Sequence, residues 1–248
     1  MAYEFNGVEY PSVTTITGIL DKPALLSWAA NCAVDYIKDH ISIIQDLQDV
    51  HRGEDILDEA RKAYAKKRDD AASAGTQTHK AIEKYIAGEE YESILTTEES
   101  QKGFQAFHKW EETNHVVWLK SEVKVFSQTH GYAGRFDAIA LVNGHLYFID
   151  FKTSKAVYDE MFVQLCGYRQ AVKEMIADGW KELDEVRDAN DIAVLHLDKA
   201  TANPTFHPRY EGFERMTETF NAMTRVYYLL KNRRLKNNPF VAIAKSLN

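Results

Sequence analysis

Only two cysteines, Cys32 and Cys166, occur in 248 residues. Their separation fits no zinc-type spacing, so a reducing, cytoplasmic setting is expected. Apolar runs are short as well. None approaches the roughly 20 residues that a membrane span needs, and no membrane partner is expected. The first ten residues, MAYEFNGVEY, lack the charged and apolar regions of a signal peptide. A Walker-type phosphate loop (GxxxxGKS or GxxxxGKT) is missing, which removes ATP hydrolysis by that route. Positive charge is outweighed, 30 Lys and Arg against 37 Asp and Glu, for a formal net charge of −7. A polyanionic partner would have to be held by a local basic surface. There is no internal repeat and no low-complexity tract.

What is there is an ordinary globular composition, 45% hydrophobic and 27% charged, in a chain long enough to bury a substantial core. Asn6-Gly7 marks a short hairpin, followed by an extended lead into helices. Residues 23–47 and 54–73 read as helix-rich, with Gly75 as punctuation before a further helix that ends at Gly88. An acidic loop and a helix over about 98–113 follow. Strands are expected over 116–126, in a hairpin around Asn143-Gly144, and over 191–197, with helices over about 157–178 and 211–235. The expected fold is α/β (α+β), a central mixed β-sheet flanked by helices with a helical N-terminal part. The expected division is 1–114, helical, and 115–248, the mixed core with its C-terminal helix.

One stretch, GRFDAIALVNGHLYFIDFKTSK, carries most of the chemistry. Counting outward from the Asn143-Gly144 turn sets Val142 against His145, Ile139 against Phe148, Asp137 against Asp150 and Arg135 against Lys152. The flanking residues are apolar on both faces, as in a central strand covered on both sides. Two opposed carboxylates in such a strand repel one another and need a cation. A hard divalent ion with oxygen ligands is the economical answer, and Lys152 brings a further positive charge.

The Asp137…Asp150-x-Lys152 pattern resembles the core motif of the PD-(D/E)XK nuclease superfamily. Gln164 and Tyr168 form the QxxxY that marks its RecB-like branch. His79, in GTQTHKAIEKYIAG, resembles that branch's metal-binding histidine, and Glu122, in SEVKVF, its upstream acidic residue. With the PSVTTI opening, the motif order over residues 11–200 is most similar to exonucleases of the mitochondrial genome maintenance type and similar viral exonucleases. Read without the resemblance, His79 at helical spacing with Ile82, Glu83 and Ile86 is more often a core residue than a ligand. Gln164 and Tyr168 would then be polar spots on a packing face, and Glu122 a solvated strand residue.

The resemblance implies a restriction-endonuclease-like core and a Mg²⁺ or Mn²⁺ cofactor held by Asp137, Asp150, the Phe151 backbone carbonyl and His79, with Glu122 a further candidate. Lys152 would contact the scissile phosphate and help orient or deprotonate the attacking water, while Gln164 and Tyr168 would orient the lysine or touch a phosphate. The iron–sulfur version of the branch needs four cysteine ligands and is not expected here. Lys62, Lys66 and Lys67 around Tyr64, with Arg135 and Lys155, are the candidate DNA contacts. Lys199, Arg209, Arg225, Arg233 and Arg234 are further phosphate candidates. The implied function is a metal-dependent DNA exonuclease preferring single strands with free ends, working in replication, recombination or end processing beside proteins of those processes. The alternatives are a structure-specific or restriction-like endonuclease and a non-catalytic nucleic-acid-binding module.

Overall fold

The computed structural model describes residues 2–20, 22–45 and 50–231; Arg233 and Arg234 lie outside the described residues. β1 (Ala2–Phe5) and β2 (Val8–Pro11) form the expected hairpin, with Asn6 and Gly7 both at positive φ. A short helix missing from the sequence reading follows, α1 (Val13–Thr17). Ser12 caps it, its Oγ accepting from the Thr15 N–H at 2.9 Å. Next come α2 (Pro23–Asp39), α3 (Ile41–Gln45) and α4 (Val50–Ile86).

Gly75 does not interrupt α4, contrary to the expectation. A lone glycine costs about 1 kcal/mol in a helix, and the surrounding Ala, Lys, Arg and Gln residues carry the helix through it. The stop comes at Gly88 (φ 71°), where the Glu89 N–H closes back on the Lys84 carbonyl. α5 (Glu98–Thr113) opens with a reciprocal cap between Thr97 and Ser100.

β3 (Val116–Ser127), β4 (Tyr132–Val142), β5 (His145–Lys152), β6 (Asp191–Asp198) and β7 (Asn203–Arg209) make one mixed sheet in the order β3-β4-β5-β6-β7. β5 and β6 are parallel, joined across α6 (Asp159–Ala177), and the other pairs are antiparallel. β7 escaped the sequence reading because it carries Pro204 and Pro208. Proline is tolerated on an edge strand, and β7 is the edge. The last helix is α7 (Phe213–Lys231). No helix among the described residues is long and apolar enough to cross a membrane.

The sheet is covered on both faces. Phe136, Ile139, Phe148 and Val194 pack with Leu165 of α6 and Phe220 of α7, while Ile149, Phe151 and Leu195 pack with Phe107 of α5 and Ile82 of α4. This explains the strands that read as apolar on both sides, and it fixes the fold as α+β.

The described residues fall into two compact units, the sheet with its helices (residues 2–19 and 77–231) and the segment Leu20–Thr76. In that segment Trp28 meets Tyr64 edge-on at 5.0 Å.

Candidate active site

The β4–β5 ladder is regular from Val142↔His145 to Ala138↔Ile149 and then stops. The expected pairings of Asp137 with Asp150 and Arg135 with Lys152 do not form. β4 continues along β3 as far as Tyr132↔Ser127, and β5 continues along β6 until Lys152 lies beside His196. Each strand follows its other neighbour, and a wedge opens between them. The Asp137 carboxylate takes the place of the lost ladder, its Oδ2 accepting the Phe151 N–H at 2.7 Å. A donor that the parting strands would have orphaned is thereby satisfied.

Asp150 is 2% exposed. Its Oδ1 accepts from Gln164 Nε2 at 3.2 Å, and the same amide reaches the Tyr168 hydroxyl at 3.3 Å. Gln164 therefore orients the Asp150 carboxylate, which in turn contacts Lys152. The phenol comes close only because residue 134 is glycine, since a Cβ there would overlap the Tyr168 ring. The Asp150 Oδ2 lies 2.6 Å from Lys152 Nζ, yet it makes no bond of hydrogen-bond geometry. Burial pushes the Asp150 carboxyl up to about 6, with Lys152 opposing and Asp137 reinforcing the rise. Asp137 is raised too, chiefly by burial. Burial alone would lower Lys152, but Asp150 and Asp137 outweigh it and hold the ammonium charged. In this pairing the Lys152 ammonium neutralises and orients the Asp150 carboxylate.

His79 projects from the last turns of α4, which are fixed where Thr78 Oγ1 donates to the Ser100 carbonyl of α5 at 3.3 Å. Its Nδ1 stands 3.6 Å from Asp137 Oδ2, and its ring is edge-on to Phe151. Burial, then the Lys152 charge, lower its pKa to about 4. Near neutral pH the imidazole is uncharged, the form that binds metals. Phe107 and Trp118 also meet the Phe151 ring edge-on, so the backbone at that residue is held from its side chain.

β3 carries a one-residue irregularity between Trp118 and Lys120, and Glu122 has φ +56°, the left-handed region that costs a non-glycine residue of order 1 kcal/mol or more. Glu122 is ion-paired with Arg135 at 2.7 Å. Its pKa is pushed up to about 7, mainly by burial and then by Asp137; Glu83, one turn beyond His79 on α4, adds to this. Glu83 belongs to the same acidic group, and its i, i+4 relation to His79 was the sequence signal for it.

The structure thus brings together His79, Asp137, Asp150, Phe151, Lys152, Gln164 and Tyr168, with Glu122 and Arg135 beside them. Of the remaining DNA-contact candidates, Lys62, Lys66 and Lys67 are exposed on α4 within the Leu20–Thr76 segment, and Lys62 is paired with Glu59 at 3.0 Å. Tyr64 is partly covered by Trp28. Lys155 is exposed on the turn after β5.

Among the described residues, no three His, Cys, Asp or Glu side chains close into a ready metal cage. The donors that do converge are two carboxylates, one neutral imidazole and a backbone segment, a set suited to a hard divalent ion. The enclosed Asp150 Oδ2 meets only the Lys152 ammonium, at 2.6 Å, so its remaining lone pair is the one such an ion would take. No family model matches the chain, and no curated protein matches it.

Proposed function

We propose that this protein is a metal-dependent DNA exonuclease that hydrolyses phosphodiester bonds in single strands with free ends. The observation that carries this reading is the opening between β4 and β5. There a buried carboxylate, Asp150, a half-buried one, Asp137, a histidine held neutral and a charged lysine meet at one place, with polar side chains fixing the carboxylate orientation. An ordinary hairpin gains nothing from such an arrangement, because raised carboxyl pKa values mean the folded state holds these charges at a cost.

In this reading Asp137, Asp150, His79 and the Phe151 carbonyl would hold Mg²⁺ or Mn²⁺, which would lower the pKa of a bound water and neutralise developing charge on the phosphate. Asp137 bonds the Phe151 N–H and so sets the orientation of the backbone that offers the carbonyl. Gln164 fixes the rotation of the Asp150 carboxylate, and Tyr168 backs Gln164. Lys152, paired with Asp150, would offer its ammonium to a phosphate oxygen. Arg135, bound to Glu122 at the border of the site, is placed to meet a neighbouring phosphate.

Single-strand preference and the need for an end rest on the motif resemblance. The test is to incubate end-labelled linear single strands and covalently closed single-stranded circles with the protein and Mg²⁺ or Mn²⁺. Progressive loss of the linear strand with survival of the circle supports the exonuclease. Efficient cutting of circles makes the protein an endonuclease, and no metal-dependent cleavage of either makes it a binding module.

A further inference from the structure

Lys152 is not the last basic group on its face of the sheet. β5 and β6 are parallel with Lys152 beside His196, so these two side chains share a face. On β7, His207 lies opposite Val194 and Arg209 opposite Ile192, which carries that same face on to the sheet edge. His196, His207 and Arg209 line a groove of ≈ 600 Å³ together with Lys155, Asp159 and Phe162. That size falls within the range of small-ligand sites.

We propose that this groove binds a backbone phosphate of the nucleic-acid strand, a short way along from the bond being cut. The inference rests on the nuclease reading above and adds to it the path of the strand, across β6 and β7.

Four features support it. First, Lys155 and Arg209 with the donor-bearing rings of His196 and His207 line the groove beside one carboxylate, in a chain whose net charge is −7, so positive charge here is local. The carboxylate, Asp159, is 99% exposed and meets Arg209 only at 3.7 Å, a surface pair worth little. Second, Arg209 is pre-positioned, its guanidinium lying 4.6 Å from the centre of the Phe162 ring. Third, the turn carrying Lys155 is tied to β6. His196 Nε2 lies 2.6 Å from the Ser154 carbonyl, and because a carbonyl only accepts, the imidazole is the donor. Fourth, His207 is held below the ordinary histidine pKa by burial and then by the charges of His196 and Arg209. That repulsion is the one an anion in the groove would relieve. Two strand spacings separate β5 from β7, about 10 Å.

The experiment is a scan. Labelled single-stranded DNA carrying one neutral methylphosphonate linkage at successive positions is bound, in EDTA, to the full chain, to a His207→Gln/Arg209→Gln double variant and to Lys155→Gln. Expected is one linkage whose neutralisation weakens wild-type binding about tenfold, as loss of a charged hydrogen bond does. The double variant should bind unmodified DNA about tenfold more weakly and be indifferent to that linkage, with its salt slope reduced by about 0.7. Lys155→Gln lies on an exposed turn and keeps the test valid if the double variant melts early; it should blunt the response at the same linkage. A scan in which every linkage responds alike in wild type and variants overturns the groove, as does a wild-type chain that binds no strand. Failure of the nuclease reading looks different: an intact scan with no Mg²⁺- or Mn²⁺-dependent cleavage.

Discussion

The two ends of the β4–β5 hairpin behave in opposite ways. At the Asn143-Gly144 end the ladder is regular, the turn residues sit at φ 50° and 87°, and every pairing follows from counting. At the other end, past Ala138↔Ile149, the strands part and side chains replace backbone: Asp137 bonds the Phe151 N–H, Gln164 bonds Asp150, and Lys152 pairs with Asp150. The regular end satisfies its polar groups by local rules and stores nothing. The open end keeps raised carboxyl pKa values and a strained Glu122 backbone, held in place by helices from elsewhere in the chain. Such conflicts persist where the surrounding fold over-determines them, and they cluster at functional sites.

The largest break in that comparison should come from the chemistry. Asp150→Asn or Lys152→Ala should lower the single-turnover cleavage rate by about 10²–10³-fold or more, the scale of losing a transition-state charge partner. Binding of single strands in EDTA should change little. Near wild-type turnover in either variant would remove the open end from the mechanism.

A smaller effect concerns Glu122. Its folded pKa, about 7, stands above the ordinary 4.5, so the folded state retains a proton that the unfolded chain has released. This contribution to stability is present below about pH 4.5 and lost as the pH rises through 7. Glu122→Gln should therefore stabilise the metal-free protein at pH 8, by at most about 3 kcal/mol, and leave it nearly unchanged at pH 4. Melting curves at the two pH values check this; an equal effect at both would mean Glu122 titrates normally.

Smaller still is the contrast between two glycines. Gly134→Ala forces a methyl group into the Tyr168 ring and should cost about 1–3 kcal/mol while slowing cleavage, because Tyr168 and Gln164 must shift. Gly144→Ala, at φ +87° with open space around it, should cost about 1 kcal/mol and leave cleavage alone. Denaturant melts with a parallel rate assay separate the two. Equal loss of activity in both would erase the distinction between the ends.

Much of the fold was legible because it follows local rules. The Asn-Gly hairpins, the Gly88 stop of a helix, and the two-sided apolar strands all act through near neighbours. β7 was not legible, because Pro204 and Pro208 argue against a strand unless its place at the edge is already known. The Asp137–Asp150 mismatch was missed for a related reason. Counting outward from a turn assumes that two strands stay together, whereas here the pull of β3 on one and β6 on the other decides. The residues of the site were legible as a motif, but their partners were not: Gln164 on Asp150, and the His196, His207 and Arg209 groove, come from positions far apart in sequence.

The central claim is that the open end of the hairpin holds a divalent ion. The most direct measurement is the melting temperature of the wild-type protein and of Asp137→Asn during titration with Mn²⁺. A ligand that binds only the folded state stabilises by mass action, about 2.7 kcal/mol at one hundred times its Kd. The wild type should rise by several degrees, and Asp137→Asn should start higher without metal and lose most of the rise. A metal response unchanged in Asp137→Asn would contradict the claim, since the two carboxylates would then not share an ion.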